Sequence, residues 1–384
     1  MASIALKCFI VYGTLLGGII YLSIMVIVLR AGGVGSRLWP VSREARPKQF
    51  HALTSTRTML QESYDRVASL VSVDEVFVST NVHSVAHVQT QLPEVPQAHI
   101  IVEPARKDTA AAIGLESILI AHEHPDAVVA SLGSDHSVKR DEEFRAVLRV
   151  AEKFVQAHPE YIVPIGIQPT QPDTGYGYIQ CGKKIESIDG HDVLSVKQFR
   201  EKPDLQHAKQ FVRAGGYLWN ANMFVWKVST ILELYKTHMP EMYAQLQEIA
   251  KALGTTKEKE VIECVYPQME KIAVDYAIIE KTPHIAALSA DIGWSDIGDW
   301  ARLKDELAET EMDDASIGAT HMSIKSHNTL VYSADPKKVI ATIGLDHLII
   351  VDTPDALLVC NKYDSQAVKE MVDLLKEKGL EHLL

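Results

Sequence analysis

The sequence predicts an α/β fold, a Rossmann-like, mainly parallel mixed sheet with helices on both faces, followed by a small β-rich C-terminal domain. Short apolar runs alternate with stretches whose apolar residues fall at three- and four-residue spacing from Met25 to about residue 167. The first apolar run ends directly in a glycine-rich turn, Gly32, Gly33 and Gly35, as a buried strand feeding a ligand loop does. Beyond residue 320 short β-type runs recur at near-regular spacing.

The N-terminus carries two competing readings. Residues 9–29 hold no charge and are flanked by Lys7 and Arg30, long enough for a membrane-spanning helix. Residues 25–29 are also the β-branched-rich run of a buried first strand, which makes residues 1–24 an apolar extension upstream of a start at Met25. No A-x-A type cleavage site follows, which argues against a secretory signal peptide.

Further strands are expected over 76–79, 99–102, 127–132 and 161–167, and helices over 59–71, 82–92, 108–122 and 141–157. Asp108 and Asp141 are the expected N-caps of the last two helices. After Gly166 the regularity gives way to Pro-, Gly- and aromatic-rich stretches, as where loops build a site on a sheet. The acidic stretch 307–316 reads as a linker. Strands are expected over 322–333, 339–343, 347–352 and 356–361, with a closing amphipathic helix over 365–378. The division is therefore an extension 1–24, a large domain 25–312 and a β-rich domain 313–384, for which a short left-handed β-helix is one form.

The 384 residues are 47% apolar and 23% charged, an ordinary globular balance. A net charge of -12 argues against a broad basic surface for nucleic acid. Cys8, Cys181, Cys264 and Cys360 lie too far apart for a zinc motif or a disulfide framework, which points to a reducing cytoplasm. His83 and His87 stand at i, i+4 without a third ligand in place.

The stretch AGGVGSRLWPVSREARPKQF, 31–50, carries the chemistry. Its glycines let the backbone turn N–H groups toward an anion, while Arg37 and Lys48 add positive charge, a combination suited to a triphosphate. It is neither a G-K-[ST] phosphate loop nor a G-x-G-x-x-G dinucleotide fingerprint.

This stretch resembles the signature of the sugar nucleotidylyltransferases, G-G-x-G-[ST]-R-L-x-P followed by P-K. Its W-P and P-K-Q-F forms are similar to the mannose-1-phosphate guanylyltransferase branch. Further segments resemble the family's in the same order: VEPARKDTAAAI at 102–113, SLGSDHSV at 131–138, TGYGYI at 174–179, FREKP at 199–203, YLWNANMFVW at 217–226, VDYAIIEK at 274–281 and WSDIGDW at 294–300. The resemblance implies transfer of GMP from GTP to α-D-mannose 1-phosphate. Gly32, Gly33, Gly35, Ser36, Arg37 and Lys48 would bind the nucleotide, and Gly175, Glu201, Lys202 and Asn220 the sugar phosphate. Arg37, Lys48 and Lys202 would be catalytic, and Asp135 and Asp296 would hold magnesium or manganese. It also implies a homodimer; membrane contact is expected only if the N-terminal run is an anchor. Alternatives are the same chemistry on a glucose or heptose phosphate with UTP or ATP, or a catalytically silent sugar-nucleotide-binding homologue. Three departures stand out: Arg30 where the family has an apolar residue, Asp108 for Asn, and Ala221-Asn222 for Ser-Gly.

Overall fold

A computed structural model describes residues 24–384; the apolar extension read over 1–24, apart from its last residue, and Cys8 lie outside them. Strands of the large domain are β1 (Met25–Arg30), β2 (Val76–Asn81), β3 (Ile100–Glu103), β4 (Val128–Gly133), β5 (Ser137–Val138), β6 (Val163–Ile167), β7 (Gly177–Ile188), β8 (His191–Arg200), β9 (Tyr217–Lys227), β10 (Ala286–Ser289) and β11 (Trp294–Ser295). Nine of them form one sheet in the order β3-β2-β1-β4-β9-β6-β10-β8-β7. Pairing is parallel among β1 to β4 and between β6 and β10. It turns antiparallel where β9 enters and in the long β7–β8 hairpin, the half in which the apolar pattern loses its regularity.

Strand β1 shows why the central run is uniformly apolar. Val26 and Val28 enter one core, while Met25, Ile27 and Leu29 enter the core on the opposite face. Helices cover both faces. They are α1 (Met59–Val67), α2 (Val85–Gln91), α3 (Asp108–Glu123), α4 (Asp141–Ala157), α5 (Leu205–Ala214), α6 (Val228–His238), α7 (Pro240–Ala252), α8 (Glu258–Val265), α9 (Val274–Ala277) and α10 (Trp300–Leu307). Among the described residues no helix is long and apolar enough to cross a membrane.

The two expected N-caps are corrected. Asp108 is already the first residue of α3, at φ 67, and its carboxylate accepts from the adjacent Thr109 N–H. Asp141 likewise opens α4 without capping it, because its carboxylate pairs with the buried Arg66 at 3.1 Å.

The C-terminal region contains β12 (Ala315–Ile317), β13 (Thr320–Ile324), β14 (Leu330–Ser333), β15 (Val339–Ile343), β16 (Leu348–Asp352), β17 (Leu357–Asn361) and α11 (Val368–Glu377). Parallel ladders join β12, β14 and β16, and separately β13 and β15, so the chain coils. The single strand expected over 322–333 is therefore two strands: Lys325 and Asn328, at φ 50 and 56, turn a corner between them. This coil packs behind the glycine turn. Leu38, Trp39, Ile297 and Trp300 share a core with Leu330, Ile349 and Val368, and Trp39 Nε1 donates to the Leu383 carbonyl at 2.8 Å.

Candidate active site

The site lies where β1 and β4 end, the side of an open parallel sheet on which ligands bind. The turn after β1 is held from below by Gln49, which is 1% exposed and donates to the Ala31 and Gly33 carbonyls at 2.8 and 3.0 Å. Gly35 sits at φ 73, and a Cβ there would stand 2.6 Å from Lys48 Cβ, so both backbone and space demand glycine. That close approach lays Lys48 under the turn, 4% exposed. Its Nζ donates to Asp135 Oδ2 at 3.1 Å and to the Asp296 carbonyl at 2.6 Å. Burial alone would raise the Asp135 carboxyl; Lys48 beside it reverses this and holds it at about 2.

Two cavities lie beside the two residues that Lys48 bonds, one reaching Asp135 and the other Asp296. One, of ≈ 390 Å³, is lined by Gly32, Gly33, Glu103 and Asp135 among others. The other, of ≈ 240 Å³, is lined by Gly175, Glu201, Lys202, Asn220, Asp275 and Asp296. Asp108 and Asn222 line both, as does Thr109. Of the candidate residues, Gly35 packs on Lys48, while Ser36 and Arg37 line neither cavity. The Arg37 side chain is exposed.

On the far side Asp296 Oδ1 accepts from Tyr176 and Arg302, each at 2.6 Å, which leaves Oδ2 without a partner among the described residues. Arg302 also holds Asp173 at 2.6 Å, and Asp173 accepts from the Gly175 N–H at 2.7 Å, tying the TGYGYI loop to the aspartate. Asp296 is pushed up by burial but drawn below the usual carboxylate range, chiefly by Arg302. The N-cap of α10 is Asp299, accepting from Ala301 and Arg302 N–H groups at 2.8 and 3.1 Å, so Asp296 is free of that role. Ile297 beside it is fully buried at φ 43, an unusual conformation for a β-branched residue.

In the second cavity Glu201 Oε1 accepts from Lys202 at 2.5 Å, while Glu201 Oε2 is buried without a partner. A Cβ on Gly177 would collide with that oxygen. Asn220 Nδ2 donates to Asp275 Oδ1 at 3.0 Å, and burial, with Glu201 nearby, lifts the Asp275 carboxyl to about 6. In the first cavity burial raises Glu103 to about 7 although Tyr266 donates to its Oε2 at 2.6 Å. Asp173, Tyr176, Asp275, Arg302 and Glu103 were not among the candidates. All of these lie within or just beside the quoted segments, which was their only signal.

The nucleotidyl transferase family matches residues 25–312, and a mannose-phosphate isomerase/GMP-like β-helix domain matches residues 319–375. The chain belongs to the nucleotidyl transferase family, in its mannose-1-phosphate guanylyltransferase branch. It is 33% identical over 360 residues to a mannose-1-phosphate guanylyltransferase of Escherichia coli, covering 92% of this chain and 76% of that one. It is 34% identical over 362 residues to mannose-1-phosphate guanylyltransferase RfbM of Salmonella typhimurium, covering 91% and 72%. The fold is similar to a crystal structure from Thermus thermophilus described as a mannose-1-phosphate geranyltransferase, at TM-score 0.81 and 29% identity, over 92% of this chain and 99% of that one. The nucleotidyltransferase family thus supplies the enzyme class for the paired cavities, with a nucleotide and a sugar phosphate as substrates.

Proposed function

We propose that this nucleotidyltransferase transfers GMP from GTP to α-D-mannose 1-phosphate, giving GDP-mannose and diphosphate. The observation that carries the reading is the pair of adjoining cavities, a glycine-loop cavity reaching Asp135 and a carboxylate- and amide-lined cavity reaching Asp296, with Lys48 bonded to both aspartates. The first cavity takes the nucleotide and the second the sugar phosphate. Two anions must be brought together, so cations are the first requirement. Lys48 and Arg37 would neutralise the triphosphate and the departing diphosphate, and Lys202 the sugar 1-phosphate. Glu201 Oε2, buried and unpaired, would accept from a sugar hydroxyl, with Gly175 and Asn220 beside it.

An ionised phosphate oxygen of the acceptor forms the new bond to the α-phosphorus, the bond from that phosphorus to the bridging oxygen breaks, and its electron pair leaves on diphosphate. No general base is required. Magnesium or manganese is the proposed cofactor, and the donor set fits it: the Asp135 and Asp296 carboxyls are both held below the usual range by neighbouring cations, their residues are joined through Lys48, and Asp296 Oδ2 has no partner among the described residues. Substrate phosphates and water would complete the ion's coordination. Bound there, it would stabilise negative charge on the α-phosphate.

Guanine offers two adjacent donors, N1–H and the 2-amino group, to a carboxylate acceptor, and Glu103 lines the nucleotide cavity with Oε1 close above Gly32. Only ionised Glu103 accepts from both. With its carboxyl at about 7, kcat/KM for GTP is expected to fall by up to about tenfold per unit as pH drops below that value. Glu103→Gln should lower the GTP over UTP preference by at least about tenfold; an unchanged ratio would remove Glu103 from base reading. Because folding raises this carboxyl from 4.5 to about 7, its stabilising share is lost as pH rises through that window. The same variant should therefore melt higher than wild type at pH 8 and not at pH 4.

The substrate assignment is tested by diphosphate release with GTP, UTP, ATP and dTTP against mannose 1-phosphate and glucose 1-phosphate. GTP with mannose 1-phosphate should give the highest kcat/KM; a higher value for UTP with glucose 1-phosphate would overturn the assignment. Lys202→Ala should raise KM for the sugar phosphate about tenfold or more while leaving KM for GTP little changed, and the reverse pattern would move Lys202 to the nucleotide. We place the reaction in the cytoplasm, supported by free thiols at Cys181, Cys264 and Cys360. A homodimer is the proposed assembly, with the exposed Met322, Ile324, Val339 and Ile343 of β13 and β15 as the available surface. Light scattering that returned a monomer at micromolar concentration would remove it.

A further inference from the structure

We infer that Asn222, held in place by Arg30, determines which configuration at the sugar's C2 the enzyme accepts, an inference that rests on the guanylyltransferase reading above. Asn222 lines both cavities, so the residue stands where, on the reading above, the acceptor phosphate meets the nucleotide. The anomeric carbon carries that phosphate, and C2 is the next ring carbon. The hydroxyl on C2 is therefore the ring substituent on the neighbouring carbon nearest the junction, and mannose and glucose differ only in its configuration.

Asn222 is not free to adapt. It occupies the left-handed region at φ 54, and Arg30 NH2 donates both to its carbonyl at 2.8 Å and to its Oδ1 at 3.2 Å. Its N–H donates to Asn220 Oδ1 at 3.1 Å, and Asn220 in turn holds Asp275. A guanidinium carries donors only, so it dictates that the amide oxygen faces Arg30. The Nδ2 group is then a donor of fixed orientation with no protein partner among the described residues. Arg30 is itself anchored as the last residue of β1, and its charge offsets the buried carboxyl of Glu116. A donor fixed in this way pairs with a C2 hydroxyl in one configuration and leaves the other unmatched, the kind of site that discriminates strongly. Arg30 and Asn222 also belong to two of the three departures from the family pattern, and here they are partners across 192 positions of sequence.

The test is the ratio of kcat/KM for mannose 1-phosphate and glucose 1-phosphate, measured with the best nucleotide in wild type, Asn222→Gly, Arg30→Met and the double variant. Each ratio is internal to one protein, so general losses of activity cancel. Asn222→Gly should reduce selectivity between the two epimers at least about tenfold. Arg30→Met should reduce it in the wild-type background and not further in the Asn222→Gly background, as expected when one residue acts through the other. Selectivity in Asn222→Gly within about threefold of wild type would overturn the inference. Glycine is at ease at φ 54, so this variant is expected to keep its melting temperature and decides the matter alone if Arg30→Met fails to fold around Glu116. Selectivity lost as expected, but by an enzyme whose best pair is not GTP and mannose 1-phosphate, would uphold the role of Asn222 and sink only the proposed substrate.

Discussion

Asp135→Asn and Asp296→Asn are each expected to lower kcat by about a thousandfold, the loss of roughly 4 kcal/mol of transition-state stabilisation. The two aspartates come from positions far apart in the chain, the turn after β4 and the turn after β11, and both bond one lysine, Asp135 through its carboxylate and Asp296 through its backbone carbonyl. Asparagine keeps their shape. In Asp135→Asn the remaining amide oxygen still accepts from Lys48, and in Asp296→Asn the backbone carbonyl that Lys48 uses is untouched while Arg302 retains Asp173. Far-UV circular dichroism should therefore match wild type, and the defect should persist at saturating magnesium. Turnover within about tenfold of wild type in either variant would mean that the metal is held elsewhere.

Legibility in the sequence followed the range of the interactions. The first strand and its glycine turn were readable because their cause is local: a run buried on both faces, then residues that must approach Lys48 and an anion. The amphipathic helix Asp141–Ala157 was readable for the same reason. Caps were not, since whether Asp141 caps a helix or pairs with Arg66 depends on an arginine 75 positions away. The coil corners at Lys325 and Asn328 were missed because a strand pattern does not announce a positive φ. At the site, Lys48, Asp135 and Asp296 came from motif order. Arg302 did not, because it lies just past the last motif and acts only through the fold that brings Tyr176 and Asp173 to it. Arg30 and Asn222 each looked like an isolated departure; only the structure makes them one feature.

Lys48→Met is expected to reduce kcat/KM about a hundred- to a thousandfold, the range for removing one preorganised group that meets developing charge. Methionine has nearly the length of lysine and suits a site only 4% exposed, so the loss should reflect charge rather than a cavity. The variant also has a stability signature. Folding lowers the Asp135 carboxyl from 3.8 to about 2, because Lys48 outweighs the upward push of burial. A carboxyl lowered on folding stabilises the fold above its unfolded value, and that stabilisation is lost as pH falls through the folded value. Without Lys48 the upward push is unopposed by its nearest cation, so Asp135 becomes a liability at neutral pH. The melting temperature of Lys48→Met should accordingly fall below wild type between about pH 5 and 7, with the gap closing toward about pH 2. A gap independent of pH would show that Lys48 is not what keeps Asp135 ionised, and the arrangement of cation and carboxylates at the centre of the site would need to be redrawn.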